Sequence, residues 1–405
     1  MAPVSYASRR DIGPVVVVTP WFPNTPSDRN AAYVYESAAA LTRHGTEVHV
    51  LVCRPWVPRA MRQRAPEWMR GDVDTSAFTG LASLTSIRYP GFPGRLLRPM
   101  TNFGLDHFLR PFVERLLRKT GGRIVHAHTE GFAPVIEPLA RKFGCRTAVT
   151  VHGLNTDAKY LYSESQQRRF RRALNGIGRV ILVGEPLRSS FVDLAGRDDH
   201  FRVVHNGLAV DTIPPRREAL FRDGEPVRCI SVSYLHEGKG IDVTLRALAR
   251  LRERGLENWT YTIVGDGYQR SELEGLVDQL GLSRQVSFAG GQPREKVFAM
   301  LSEADVFVLP SYREAFGIAW LEAMAAGVVT IGVRGEGPSA FIKSGHNGFL
   351  VEPRDPDDLT NCLARIMGHP ENMRAIAAAG RETVGSGFTW DVHARKLRDV
   401  YREML

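Results

Sequence analysis

Val306-Phe-Val-Leu-Pro310-Ser-Tyr-Arg-Glu314-Ala-Phe-Gly317-Ile-Ala-Trp-Leu-Glu322-Ala-Met-Ala-Ala-Gly327 is an apolar run, a polar break and an Ala-rich stretch ended by glycine. The first five residues read as a buried strand. A helix is expected from near Phe316, stopping before Gly327, where glycine suits the exit turn. Glu314 then stands in the loop ahead of the helix and Glu322 within it, about 12 Å further along the axis. Free N–H groups near Gly317 and Ile318 face out of the helix start, an end whose partial positive charge suits a phosphate. Two carboxylates bracketing such a start are placed to hold both ends of a sugar–diphosphate–ribose ligand. Read alone, the pair also fits two solvated charges on a helix.

Outward from this stretch, short apolar runs alternate with helical patterns along most of the 405 residues. Strands are expected at Val15–Thr19, Glu47–Val52, Arg123–His128, Arg146–His152, Val180–Gly184 and Phe201–His205, then at Val227–Tyr234, Trp259–Val264, Gln285–Ala289, Val306–Pro310 and Val328–Val333. The intervening helices make these βα units with parallel sheets. Asp211-Thr-Ile-Pro-Pro-Arg-Arg is Pro-rich and charged, the best linker. The expected class is therefore α/β, with two Rossmann-like domains facing a central cleft, at residues 1–212 and 213–387, and a last helical segment at 388–405. In open sheets of this kind ligands bind beyond the carboxyl ends of the strands.

The composition, 43% hydrophobic and 24% charged, is that of a globular protein. No apolar run approaches the roughly 20 residues that span a bilayer. Arg9, Arg10 and Val15–Val18 loosely imitate a signal peptide, but the run is short and Pro20 and Pro23 follow. Cys53, Cys145, Cys229 and Cys362 are scattered, which favours free thiols in a reducing cytoplasm. The net charge of +9 suits an anionic ligand, membrane or nucleic acid without choosing among them. No nucleic-acid-binding signature accompanies it. Asp72-Val-Asp74 has the spacing of a metal-binding Asp-x-Asp but sits in a polar loop, and His126 and His128 share a strand face without further ligands. No metal is expected. Gly265-Asp-Gly267 lacks the third glycine of a dinucleotide fingerprint, since Arg270 stands there.

The Glu314–Glu322 run resembles the E-x7-E motif of the retaining GT-B glycosyltransferases grouped as family 4. Val264-Gly265-Asp266-Gly267 is similar to that family's strand-end loop. Asn206-Gly207 with Asp211 is similar to its Asn-Gly-x-x-x-Asp linker signature, and the order of the pieces agrees over nearly the whole chain. The resemblance implies transfer of a sugar from a nucleoside-diphosphate sugar to an acceptor hydroxyl, with retention. It implies catalytic roles for His152, Lys239 and Glu314. Donor contacts are implied from Tyr234, Gly240, Gly265, Asp266, Gly267, Ala315, Phe316, Gly317, Ile318 and Glu322. Glu314 would hold donor-sugar hydroxyls, Glu322 the ribose, Lys239 the diphosphate and His152 the sugar near the reacting carbon. The last helix would cross back to the first domain.

Two positions depart from the family pattern. Tyr234 stands where the family has an arginine; Arg29 or Arg313 compensates, or Tyr234 itself bonds a phosphate. The first loop carries Arg29, Asn30 and Ala31 in place of a Gly-Gly pair, with Asn30 able to take a glycine's backbone angles. No cofactor is expected beyond the donor, a UDP-sugar ahead of a GDP-sugar. The acceptor is a sugar, an aminocyclitol or a lipid-linked molecule. The basic, apolar stretch from Arg95 to Lys119 and the cluster Arg168-Arg169-Phe170-Arg171-Arg172 suit peripheral contact with an anionic membrane at its inner face, or helices packed on their own domain with arginines in solvent. Nucleic acid is not an expected partner. A GT-B epimerase or phosphorylase is the rival enzyme reading.

Overall fold

The structure, a computed structural model, describes residues 11–28, 31–57, 71–90, 98–153, 164–214 and 219–405. The chain forms two compact units, Met1–Gly207 with Trp390–Leu405, and Leu208–Thr389.

The first unit runs β1 (Val15–Thr19), α1 (Ala32–Arg43), β2 (Val48–Trp56), β3 (Ser83–Pro90), α2 (Arg98–Thr120), β4 (Ile124–Ala127), α3 (Ala133–Phe143), β5 (Arg146–Val151), α4 (Glu164–Gly176), β6 (Arg179–Leu182), α5 (Leu187–Ala195) and β7 (Phe201–Val203). Its seven strands order as β3-β2-β1-β4-β5-β6-β7, and every pair is parallel. β1 is Val-Val-Val-Val-Thr and wholly buried. β-branched side chains fit a pleated surface covered on both faces, which is the position of a central parallel strand.

The second unit runs β8 (Val227–Val232), α6 (Ile241–Glu253), β9 (Trp259–Val264), α7 (Arg270–Gln279), β10 (Val286–Gly290), α8 (Arg294–Glu303), β11 (Val306–Val308), α9 (Ile318–Ala325), β12 (Val329–Val333), β13 (Phe349–Val351), α10 (Pro356–Gly368) and α11 (Pro370–Gly387). Its sheet orders as β10-β9-β8-β11-β12-β13, again all parallel. In both sheets the chain steps outward over three strands, then returns to the other side of the first. The order therefore reverses between β1 and β4 and between β8 and β11. A crevice opens at the carboxyl end of such a reversal.

The last helix, α12 (Trp390–Met404), belongs to the first unit. His393 Nε2 lies 2.8 Å from Ser37 Oγ, and Tyr401 OH lies 2.6 Å from His126 Nδ1. Arg398 donates to His44 O and pairs with Asp11. These contacts bury Tyr401 completely and anchor the helix over α1 and the sheet.

Two strands were not expected from the sequence. β3 is an edge strand whose residues are mostly half-exposed, so it lacks a continuous apolar run. β13 has only three residues.

Candidate functional site

In the second unit, the loops after β8 and β11 interlock. Gly238 O accepts from Tyr312 N at 2.9 Å and from Ser311 Oγ at 3.0 Å. His236 Nδ1 accepts from Gly238 N at 3.1 Å, which shapes the turn Glu237–Lys239 ahead of α6. Gly240 then enters α6 at φ 66°, where an added Cβ would stand 2.4 Å from Pro310 O. Only glycine fits so close a backbone approach without displacing it. This interlock brings Lys239 Nζ to 2.8 Å from Glu314 Oε2, with side chains 21% and 18% exposed. Such a charge-assisted contact is stronger than a neutral one.

A third loop completes the arrangement. Glu336 Oε2 accepts from Glu314 N at 2.8 Å, and Gly337 N donates to Glu314 O at 2.9 Å. Gly317, at φ 103°, precedes α9 and starts the helix two residues later than its pattern suggests. Ala315 and Phe316 are buried, and the Phe316 ring packs among Phe341 and Phe388. The Phe316 ring therefore faces the core, and only its backbone stands beside Glu314. Ile318 opens α9 and is half-buried.

Beside this loop system lies a cavity of about 730 Å³, lined among others by Ser233, Tyr234, Gly265, Asp266, Gly267 and Gln292. Ser233 Oγ is buried without a hydrogen-bond partner. Gly265, at φ 130°, leaves no room for a Cβ against Ser233 O, and Gly267 none against Leu235 O. Tyr234 is 60% exposed at the rim. Arg313, at φ 61°, is exposed. Glu322 of α9 pairs with Arg294, Oε1 to Nη2 at 3.0 Å. Burial pushes the Glu322 carboxyl above its ordinary range, and the Arg294 charge opposes that rise.

In the first unit, His152 follows β5 and meets the loop after β4. Its Nε2 lies 3.1 Å from His128 Nδ1, and the two rings stack with centroids 5.3 Å apart. Tyr33 and Trp21 pack on the His152 ring at 4.5 and 5.9 Å. His152 Nδ1 is buried without a partner. Burial, then the neighbouring His128, holds His152 well below its usual pKa, and burial lowers His128 to about 3. Both rings are neutral near pH 7, so this cluster offers hydrogen bonds and no charge.

Arg29 and Asn30 lie outside the described residues. Among the described residues of that loop, Ala31 takes the left-handed conformation, at φ 59°, and caps α1. Asp72 pairs with Arg88 at 2.7 Å, and Asp74 accepts from Ser76, so both acids are engaged. Among the described residues no three His, Cys, Asp or Glu gather as a metal site.

Glu336, Arg294, Ser233, Trp21 and Tyr33 had no sequence signal of their own. Glu336 and Arg294 reach Glu314 and Glu322 within the second unit, and Trp21 and Tyr33 reach the His152 ring within the first, each from a different loop or helix. His128 was visible only as half of a His-x-His pair.

Two Rossmann-like units, each built on a parallel sheet with these strand orders, fit the GT-B architecture. Sucrose-phosphate synthase from Thermosynechococcus elongatus shares it, with a TM-score of 0.73 over 97% of this chain and 99% of that one, at 22% identity. Residues 31–212 match Glycosyltransferase Family 4, and residues 213–383 match Glycosyl transferases group 1. The chain is thus a GT-B glycosyltransferase that belongs to these families. It is 27% identical over 357 residues to the GDP-mannose-dependent alpha-(1-6)-phosphatidylinositol monomannoside mannosyltransferase of Mycobacterium tuberculosis, covering 85% of this chain and 89% of that protein. It is 27% identical over 328 residues to the D-inositol 3-phosphate glycosyltransferase of Thermobifida fusca, covering 74% and 75%.

Proposed function

We propose that the chain transfers a sugar from a nucleoside-diphosphate sugar to an acceptor hydroxyl, with retention and without a metal ion. The observation that carries this reading is the Lys239–Glu314 pair at the β8/β11 reversal, beside the 730 Å³ cavity. In this reading the donor diphosphate replaces Glu314 as the anionic partner of Lys239. The freed carboxylate accepts hydrogen bonds from donor-sugar hydroxyls.

The leaving diphosphate gathers negative charge as its bond to the sugar breaks. Lys239 and the amino end of α9 supply fixed positive charge there, which is the role a metal would otherwise fill. The acceptor hydroxyl attacks from the same face, and its proton passes to the leaving phosphate. His152 contributes a neutral hydrogen bond to the donor sugar, and Glu322 holds the ribose. The cavity takes the nucleotide. Uridine is the base expected from the sequence, while the mycobacterial relative is named for GDP-mannose. Thermal shift with UDP- and GDP-sugars decides the base, because ligand binding raises apparent stability. No shift with any nucleotide sugar overturns the reading. Unchanged turnover in EDTA, with the product's anomeric configuration read by NMR, tests the rest.

The acceptor is proposed to be a lipid-linked molecule met at the inner face of an anionic membrane. α2 buries Leu109, Val113 and Leu117, while Phe108 and Phe112 on its other side are 49% and 41% exposed. Arg115 and Lys119 are exposed and continue that stripe at helical spacing. Exposed aromatics among cations on one helix face suit a headgroup interface. No helix among the described residues is long and apolar enough to cross a membrane. Sedimentation with anionic but not neutral liposomes, lost in Phe108→Ser/Phe112→Ser, supports this acceptor class; no sedimentation with either leaves a soluble sugar or aminocyclitol as the acceptor.

A further inference from the structure

We infer that Arg294 is a positioning residue for the donor nucleotide, acting through Glu322. The inference rests on the reading above that Glu322 holds the ribose. Arg294 opens α8, between Gln292 and Val297, both of which line the cavity. Arg294 itself does not line it. Its guanidinium carbon sits 4.7 Å from the centroid of the buried Phe298 ring, and Nη2 reaches Glu322 Oε1 at 3.0 Å. Stacking on one side and the carboxylate on the other fix the group's plane. Arginine suits this arrangement better than lysine, since its planar fork both stacks and aims its donors.

Among the described residues, the surroundings of Glu322 supply one charged partner, Arg294. α9 packs against α11, whose inward residues Met373, Ile376 and Gly380 carry no charge. The α11 charges Arg374, Arg381 and Glu382 are exposed, as are Glu295 and Lys296 of α8. β12, Val-Thr-Ile-Gly-Val, has none. Among the described residues, Arg294 is the charge acting on Glu322 against its burial.

Removing Arg294 leaves burial unopposed, and the carboxyl then keeps its proton to higher pH. A protonated carboxyl has lost acceptor capacity and makes weaker bonds to two ribose hydroxyls than a carboxylate does. Arg294 thereby links the cavity wall carried by α8 to the ribose-binding end of α9. Its loss should show as a pH-dependent defect in nucleotide affinity, which a purely structural arginine would not give.

The test is calorimetric titration of the full chain with UDP and GDP from pH 6 to 8.5, comparing the wild type with four variants. The wild type is the reference at each pH, which cancels the titration of the nucleotide's own terminal phosphate at about pH 6. Arg294→Gln, and Arg294→Met as a second uncharged variant that keeps the packing on Phe298, are expected to bind about tenfold more weakly at pH 6. Affinity should recover as pH rises. Arg294→Lys should stay within about threefold of the wild type. Glu322→Gln should be weakened equally at every pH. If Glu322→Gln binds like the wild type, the ribose reading itself fails. If Glu322→Gln is weakened while both uncharged Arg294 variants match the wild type, or lose affinity equally at every pH, the inference about Arg294 is overturned and the ribose reading stands.

Discussion

Lys239 and Glu314, 75 residues apart in sequence, share a 2.8 Å hydrogen bond because the loops after β8 and β11 are pinned to each other through Gly238. The contact ties a lysine suited to phosphate to a carboxylate suited to sugar hydroxyls. In the proposed cycle it is the bond that the donor exchanges.

A double-mutant cycle tests that exchange. Glu314→Ala should lower kcat about 100-fold or more, the scale of losing a positioned transition-state group. Lys239→Ala should chiefly raise the donor KM, by about 10- to 100-fold. The two effects should be non-additive by roughly 1–3 kcal/mol, as for directly bonded neighbours. Strict additivity would argue against a shared role.

Acid should weaken the first unit through its buried histidines. Burial lowers His128 to about 3 and His393 to about 4, against an ordinary 6.5. Below pH 6.5 the unfolded chain binds protons that the folded chain refuses. Stability is therefore complete above that value and falls as pH drops toward 4, by up to ~1.4 kcal/mol per pH unit for each ring. Melting followed from about pH 7.5 to 4.5 should show a falling Tm. His393→Gln, which keeps an acceptor for Ser37 and a donor for His205 O, should flatten the slope. A pH-independent Tm in the wild type would contradict the buried, neutral cluster.

Gly265 tests the packing beneath the cavity. At φ 130°, with an added Cβ only 1.8 Å from Ser233 O, Gly265→Ala should cost about 2–4 kcal/mol and reduce nucleotide binding. Gly196 has φ 78° but open space around it. Gly196→Ala should cost only about 1–2 kcal/mol and leave binding intact. Equal effects in denaturant melts would mean that the close approach at Gly265 does not matter.

Tyr401→Phe removes the hydroxyl that meets His126 at 2.6 Å in a fully buried setting. A stability loss of about 1–3 kcal/mol, without change in nucleotide affinity, is expected from a buried ring nitrogen left unpaired. A loss of affinity would instead tie α12 to the donor site.

Most of the architecture was legible because parallel strands covered on both faces are continuous apolar runs, as in Val15–Val18 and Val306–Leu309. β3 escaped because an edge strand with half-exposed residues has no such run, and β13 because three residues make no period. On the site, the Glu314–Glu322 spacing and the glycine-flanked Lys239 are local patterns, visible along the chain. Glu336 and Arg294 are not. Each meets its partner across a gap of 22 or 28 residues that only the order β8-β11-β12 and the packing of α8 against its neighbours close. The His152 cluster depends likewise on β1, β4 and β5 lying side by side, which brings Trp21 and His128 to one strand end. Asp72-Val-Asp74 shows the reverse case: its acids serve Arg88 and Ser76, contacts that the bare spacing does not reveal.

The most direct measurement is a structure of the protein with an unreactive analogue of its preferred nucleotide sugar. The account predicts that Lys239 Nζ leaves Glu314 for a diphosphate oxygen, while the Glu314 carboxylate turns to a sugar hydroxyl beside the start of α9. A donor bound elsewhere, with Lys239 and Glu314 still joined, would contradict it.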